Sequence, residues 1–235
     1  RKAVLPFEGP YMLGLATHRE RSDGLTDLMT AYLGDVVHDI KLPGKFAGLG
    51  SNRPVLMVRR TEFAYTFRDD YREMITALCR NKERNMLLVA DILQETARPA
   101  VRALVLSDRI EHLKILKEAI AQARGRDAEI VTGETSEKGW SETIERFQKK
   151  PGLLLMTYRS SQAANIRGVD RLFLATPVKN GDYISQAVGA VFASGEKSDE
   201  PGRVYDYRDV KVSVLDSSFQ KRRKLCTSMG VLLER

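Results

Sequence analysis

Cysteine and histidine are scarce in this chain. The two cysteines, Cys79 and Cys226, lie far apart, and His18, His38 and His112 are scattered between them and the N-terminus. No spacing suited to a zinc site or a disulfide framework results, so no metal site is expected. The thiols read as buried or half-buried groups of a reducing compartment. No apolar run approaches the roughly 20 residues that a membrane span needs, so no membrane partner is expected. The chain opens Arg1-Lys2-Ala3-Val4-Leu5-Pro6, without a start methionine or the apolar core of a signal peptide. It reads as a piece of something longer. There is no G-x-x-x-x-G-K-[ST], and no acidic pair follows a strand. The chain therefore lacks, on its own, the loop that cradles a triphosphate and its magnesium ion.

What is present is ordinary globular composition with a basic balance: 43% hydrophobic and 29% charged residues, a net charge of +7 and a pI near 9.4. Such a balance favours an anionic partner without saying which, and is equally met in proteins that are merely basic. The cluster Lys221-Arg222-Arg223-Lys224 is the densest run; it reads as a solvated helix face or as a phosphate-contacting stripe. The single tryptophan, Trp140, falls inside a helical pattern and is expected to pack rather than stack on a base.

Hydrophobic spacing divides the chain. Leu25, Leu28, Met29, Tyr32 and Leu33 share one helical face after the turn Ser22-Asp23-Gly24, and Gly34 ends that helix. A short strand is expected at Tyr11–Leu15. The stretch 41–54, with Pro43, Gly44, Gly48, Gly50 and Pro54, is a linker. Beyond it the pattern alternates. Strands are expected at 55–58, 103–106, 129–131, 153–156, 171–175 and 203–207. Helices are expected at 69–96 with a break near Asn81, and at 110–123, 136–149, 183–192 and 217–229. Short apolar strands alternating with helices make βαβ units, hence an α/β fold with a parallel sheet covered by helices on both faces.

Open parallel sheets place their functional loops at the carboxyl ends of the strands. Here those loops are Ser107-Asp108-Arg109, Thr132-Gly133-Glu134-Thr135-Ser136, Thr157-Tyr158-Arg159-Ser160-Ser161-Gln162 and Thr176-Pro177. All are rich in hydroxyls or amides, the groups that hold phosphate oxygens, although each hydroxyl taken alone is as well suited to capping a helix.

In their order, ALVLSDRIEHLKIL (103–116), VTGETSEKGWSETIERF (131–147), LLLMTYRSSQAANIRGVDRLFLATP (153–177) and QAVGAVFASGEKSDEPGRVYDYRD (186–209) resemble successive motifs of the second RecA-like lobe of superfamily 2 helicases. The kinship is nearest to the DEAD-like helicases of bacteriophages and large DNA viruses. LGLATHRERSDGL (13–25) is similar to the stretch that ends the first lobe in that group, and RNMLLVADIL (84–93) to its connecting helix. The resemblance implies residues 1–45 as the end of a first lobe plus linker, and 46–235 as a RecA-like second lobe without the P-loop. It implies ATP and magnesium only together with an upstream first lobe. It also implies nucleic acid as partner, DNA ahead of RNA, and an intracellular setting: cytoplasm or nucleus, an infected cell or a virion.

The departures bear on chemistry. Where the family reads S-E-G-L-D-I-P, this chain reads Ser161-Gln162-Ala163-Ala164-Asn165-Ile166-Arg167. Where the family reads Q-A-V-G-R-I-L-R, it reads Gln186-Ala187-Val188-Gly189-Ala190-Val191-Phe192-Ala193. The family's two arginines act as fingers on the transferring phosphoryl group, a role worth roughly 10³–10⁵ in turnover. Alanine at 190 and 193 supplies no donor, so the expectation is a lobe with no catalytic residue and impaired hydrolysis. Gln162, Asn165, Gln186 and Gly189 are the nucleotide-facing positions by resemblance. Ser107, Arg109, Thr132, Gly133, Thr157, Arg159, Lys221, Arg222 and Arg223 are the candidate nucleic-acid contacts. Two other readings stay open: an inactive scaffold for protein interaction, and deliberate replacement of the motif residues.

Overall fold

The computed structural model describes residues 13–14, 26–38, 52–67, 70–123, 125, 127–195 and 200–234. It divides into two compact units, Arg1–Pro43 and Gly44–Arg235. In the first unit, α1 (Thr26–Leu33) ends at Gly34, whose φ of +85° is a conformation that an L side chain resists. Of the strand expected at Tyr11–Leu15 only Leu13 and Gly14 are described, and neither is in a strand; the rest lies outside the described residues.

The second unit is one sheet of seven strands: β1 (Val55–Thr61), β2 (Ala103–Ser107), β3 (Ala128–Val131), β4 (Leu153–Thr157), β5 (Arg171–Leu174), β6 (Arg203–Asp209) and β7 (Leu232–Leu233). The order is β3-β4-β2-β5-β6-β1-β7, and every described pairing is parallel. Helices connect them: α2 (Tyr71–Arg80), α3 (Lys82–Thr96), α4 (Ile110–Gln122), α5 (Glu137–Lys149), α6 (Tyr158–Ala164), α7 (Gly181–Gly195) and α8 (Ser213–Ser228).

The period-2 geometry of a strand explains why the central segments are apolar throughout. Leu104, Leu106, Leu154, Met156, Leu172 and Leu174 point to one face, where α5, α6, α7 and α8 cover them. Ala103, Val105, Leu153, Leu155 and Phe173 point to the other, under α3 and α4. A third cluster, around Phe63, Met74, Leu78, Val212 and Leu215, gathers α2 with the segments that follow β1 and β6.

The break expected near Asn81 is a junction of two helices. Asn81 is extended (φ −68°, ψ 114°), closes α2, and accepts the Arg84 backbone N–H of α3 at 2.8 Å. Two elements escaped the hydrophobic pattern. The stretch after β4 is a helix rather than a loop: Thr157 Oγ1 accepts the Ser160 N–H and starts α6, whose mixed sequence shows no apolar period. β7 is only two residues long, too short for alternation to register. In addition, α8 begins at Ser213, four residues ahead of the expected Ser217.

β6 carries acids onto both faces. Asp206 meets Arg222 of α8 through two hydrogen bonds of 2.8 Å, with both residues at most 2% exposed. On the opposite face Asp209 meets Arg84 of α3 at 2.8 Å and accepts the Thr61 hydroxyl at 2.6 Å. Removing one partner of such a pair strands an uncompensated buried charge at a cost of about 3–5 kcal/mol. Arg222→Ala is therefore expected to lower chemical-denaturation stability by that order. Replacing Asp206 and Arg222 together with leucine should recover most of the loss. A single-mutant loss below about 1 kcal/mol would show the pair to be solvated.

Candidate functional site

Because the sheet is parallel, all strand carboxyl ends share one edge. There the loops are bound to one another through their own hydroxyls. Thr176, fully buried, accepts the Asp108 backbone N–H on Oγ1 at 2.8 Å, and its carbonyl accepts the Tyr158 hydroxyl at 2.7 Å. This joins the loop after β2, the loop after β5 and the first residue of α6. Thr132 Oγ1 accepts the Glu134 N–H at 3.2 Å, and Thr135 Oγ1 accepts the Thr132 N–H at 3.0 Å.

Beneath this edge runs a buried polar chain. Asn85 Nδ2 donates to the Cys79 carbonyl at 2.8 Å, while Asn85 Oδ1 accepts His112 Nε2–H at 2.9 Å. His112 Nδ1 then accepts the Ser107 hydroxyl at 3.0 Å, and Ser107 Oγ accepts the Arg109 N–H at 3.2 Å. The chain has one consistent assignment, with His112 neutral and carrying its proton on Nε2. Burial, aided by the nearby Arg84 charge, pushes this imidazole down from 6.5 to about 3. A histidine depressed in the folded state binds fewer protons than the unfolded chain between those values. Its contribution to stability is thus complete above pH 6.5 and is lost as pH falls. Stability in urea should fall by up to about 1.4 kcal/mol per pH unit between pH 6.5 and 5, before carboxylates titrate. His112→Leu should flatten that segment, and a wild-type profile already flat there would contradict the assignment.

The expected contact residues separate into two groups. Ser107 and Thr132 are buried with their hydroxyls engaged internally, and Thr157 caps α6; these three build the edge rather than face outward. Arg222 is withdrawn into the core by Asp206, so the four-residue basic stripe is in fact Lys221, Arg223 and Lys224. The sequence missed this because Asp206, the acid that claims Arg222, lies on a different element. Arg223 faces Val58, Phe219, Leu233 and Glu234 around a pocket of about 160 Å³ at the β1–β7 side of the sheet. Three strands, β5, β6 and β1, lie between β7 and the β2 loop. Arg223 therefore stands apart from Arg109 in the loop after β2. Outward at the carboxyl edge stand Gly133 and Arg159, with Arg109 half-buried. Lys179, which the sequence reading passed over, is exposed in the loop after β5.

Of the four positions expected to face a nucleotide, two are bonded to each other. Gln186 Nε2 of α7 donates to the Gln162 backbone carbonyl of α6 at 2.9 Å. Asn165 closes α6 in the left-handed conformation (φ 46°), which asparagine tolerates better than most residues. Gly189 borders open space, with no atom within 4 Å of where a Cβ would stand. Ala190 by contrast is 5% exposed, lies in the core under α7, and its carbonyl accepts the Val169 N–H at 3.0 Å. Of Ala193 only its place in α7 is described. Neutral amides and a glycine cannot offset the charge of a magnesium-bound triphosphate, so these residues alone do not fit that group. Ala190→Arg should destabilise the fold by about 2 kcal/mol or more, through overpacking and a buried charge. Gly189→Arg should not. Thermal midpoints of the two variants decide this, and equal midpoints would show position 190 to be open.

No family model matches this chain. It is 22% identical over 227 residues to a mimivirus protein (Acanthamoeba polyphaga mimivirus) named "Putative ATP-dependent RNA helicase"; the match covers 91% of this chain and 40% of that protein. Among solved structures, T4 UvsW aligns with a TM-score of 0.60 at 14% identity, over 78% of this chain and 41% of UvsW. The C-terminal domain of the DEAD-box protein Dbp5 aligns with a TM-score of 0.54 at 9% identity, over 79% and 89% of the two chains. A DEAD-box protein from Methanococcus jannaschii aligns at 0.51 and 15% identity, over 91% and 48%. The chain spans about two fifths of the length of the curated relative it matches. The seven-stranded parallel sheet with helices on both faces is a RecA-like fold, shared with the C-terminal domain of the DEAD-box protein Dbp5.

Proposed function

We propose that this chain is the C-terminal lobe of a nucleic-acid helicase or translocase, impaired in ATP hydrolysis, that grips the sugar-phosphate backbone of a single strand. The observation that carries the reading is the division at the carboxyl edge. The short hydroxyls there are engaged internally, while the long cations Arg159 and Lys179 stand exposed, with Arg109 half-buried beside the exposed acids Asp108 and Glu134. Long cations on a rigid edge suit phosphate oxygens and carry no sequence information, so binding is sequence-blind. The finger positions Ala190 and Ala193 supply no guanidinium, and Gln162 and Asn165 stand in place of acids. ATP and magnesium would be held only with a first lobe upstream, and Gln162, Asn165, Gln186 and Gly189 would form the face turned toward that nucleotide. DNA is the preferred strand.

A second reading, a protein-interaction scaffold, is favoured by one feature. The edge strand β7 exposes Leu232 and Leu233, each 38% accessible, beside the pocket lined by Phe219 and Arg223.

Titration of fluorescent single-stranded DNA and RNA at several salt concentrations separates the two. The nucleic-acid reading expects weak binding whose affinity falls steeply as salt rises, because condensed counterions are released. Absence of binding at low salt, or affinity indifferent to salt, leaves the scaffold. The chain alone is also expected to show no strand-stimulated ATPase, and arginine at 189, 190 or 193 should not create one. Turnover that co-purifies with the chain and tracks its concentration would overturn the impaired reading.

A further inference from the structure

Tyr71, the first residue of α2, and Lys179, in the loop after β5, meet at the carboxyl edge, the edge that also carries Arg109 in the loop after β2. Lys179 Nζ stands 3.9 Å from the centroid of the Tyr71 ring. That cation–π contact holds a flexible ammonium group in one place. The Tyr71 hydroxyl is buried without a hydrogen-bond partner, and so is Arg109 Nε. Arg109 Nη1 is 3.9 Å from Asp108 Oδ2, too far for a hydrogen bond, and the Asp108 side chain is 55% exposed. Asp108 is in turn anchored by its backbone to Thr176, three residues before Lys179. Burial raises the Tyr71 hydroxyl's pKa and keeps it protonated, and the charges it feels are those of Arg222, Asp108 and Arg109.

The group therefore offers two cations, a guanidinium and an ammonium, beside one loosely held carboxylate, with the Tyr71 ring as the prop that holds the ammonium. Two such cations call for an acceptor with several oxygens and negative charge. We propose that Tyr71, Arg109 and Lys179 form the seat for one phosphodiester of a bound single strand. In the free protein Asp108 is the internal anion beside Arg109, and the phosphate displaces it. Tyr71 is a positioning residue, since its ring holds Lys179 in place. This assignment rests on the nucleic-acid reading and goes beyond it by adding Tyr71, Lys179 and the displaced Asp108.

The test uses the full chain and a fluorescent oligothymidylate at several salt concentrations. Thermal midpoints serve as the control for folding. Lys179→Ala should weaken binding about tenfold at low salt and reduce the slope of log affinity against log salt by about 1, as loss of one phosphate contact does. Tyr71→Leu should reproduce that loss although Lys179 is intact, and the double variant should be no weaker than either single one. Tyr71→Phe, which keeps the ring, should retain the slope. Asp108→Asn should tighten binding, which a merely structural role for Asp108 would not produce. Inorganic phosphate at matched ionic strength should fail to compete. Competition by free phosphate would overturn the strand assignment. Steep salt-dependent binding by the unmodified chain, unchanged by Lys179→Ala and Asp108→Asn, would overturn this seat and leave the nucleic-acid reading standing. No binding by the unmodified chain would remove both.

Discussion

β6 is bonded to the helices on both of its faces by charge. Successive strand residues alternate sides, so Asp206 and Asp209, three apart, project to opposite faces and must each find a cation. Arg222 answers from α8 and Arg84 from α3, and neither acid is more than 1% exposed. The same side of the sheet that receives Arg84 adds Glu95, which accepts from Arg171, Arg203 and Tyr205, and Asp91, which accepts from Arg59 and Tyr207. α3 thereby contacts β1, β5 and β6 through side chains that have one workable geometry each. Apolar packing alone would tolerate a slipped helix far better than these pairs do. Whatever the carboxyl edge does depends on this register, because Arg84 also donates to the Ala175 carbonyl, next to Thr176.

That dependence decides which residues remain for a ligand. A parallel sheet brings many polar groups to one edge, and buried polar groups must be hydrogen-bonded. Here the short hydroxyls of the edge satisfy themselves. Ser107 goes to His112, Thr176 to Asp108, Thr132 to Glu134, and Thr157 to α6. Short side chains are consumed by the scaffold because they cannot reach past it. Long ones, Arg109, Arg159 and Lys179, extend beyond the hydrogen-bonded layer. Side-chain length, more than residue polarity, sorts structure from site along this edge.

The same argument explains what was legible in the sequence. The strands and most helices were, since burial on both faces writes short apolar runs that alternate with amphipathic helical stretches. Asn81 was legible as a break because it caps the helix that follows. α6 and β7 were not, since one is a single capped turn and a half and the other two residues. At the site, position along the chain located the loops but not the direction of their side chains. Ser107 and Arg109 differ by two residues, yet one points into the polar chain under His112 and the other reaches the edge. Arg222 read as part of a surface stripe because its acid partner is sixteen residues away on another element. Lys179 could have been found only by asking which aromatic ring might hold it.

Alanine at position 190 has a structural meaning of its own. Along α7, Gln186 and Gly189 border the outer surface, whereas Ala187, Val188, Ala190 and Val191 are buried in the layer against the sheet. Alanine at 190 fits that layer, and the carbonyl of the same residue holds the Val169 N–H just ahead of β5. A guanidinium at 190 would have to leave the core, and beside it stands Gly189, where an added Cβ meets nothing within 4 Å. The glycine thus borders space that this chain does not use. Restoring charge there requires more than one substitution, since an arginine must both escape the apolar layer and find an anion. With Gln162 and Gln186 already bonded to each other, the face offers a nucleotide amides and no net charge. The positive charge of this edge lies instead around Arg109 and Lys179, in the loops after β2 and β5, where the proposed phosphodiester would be held.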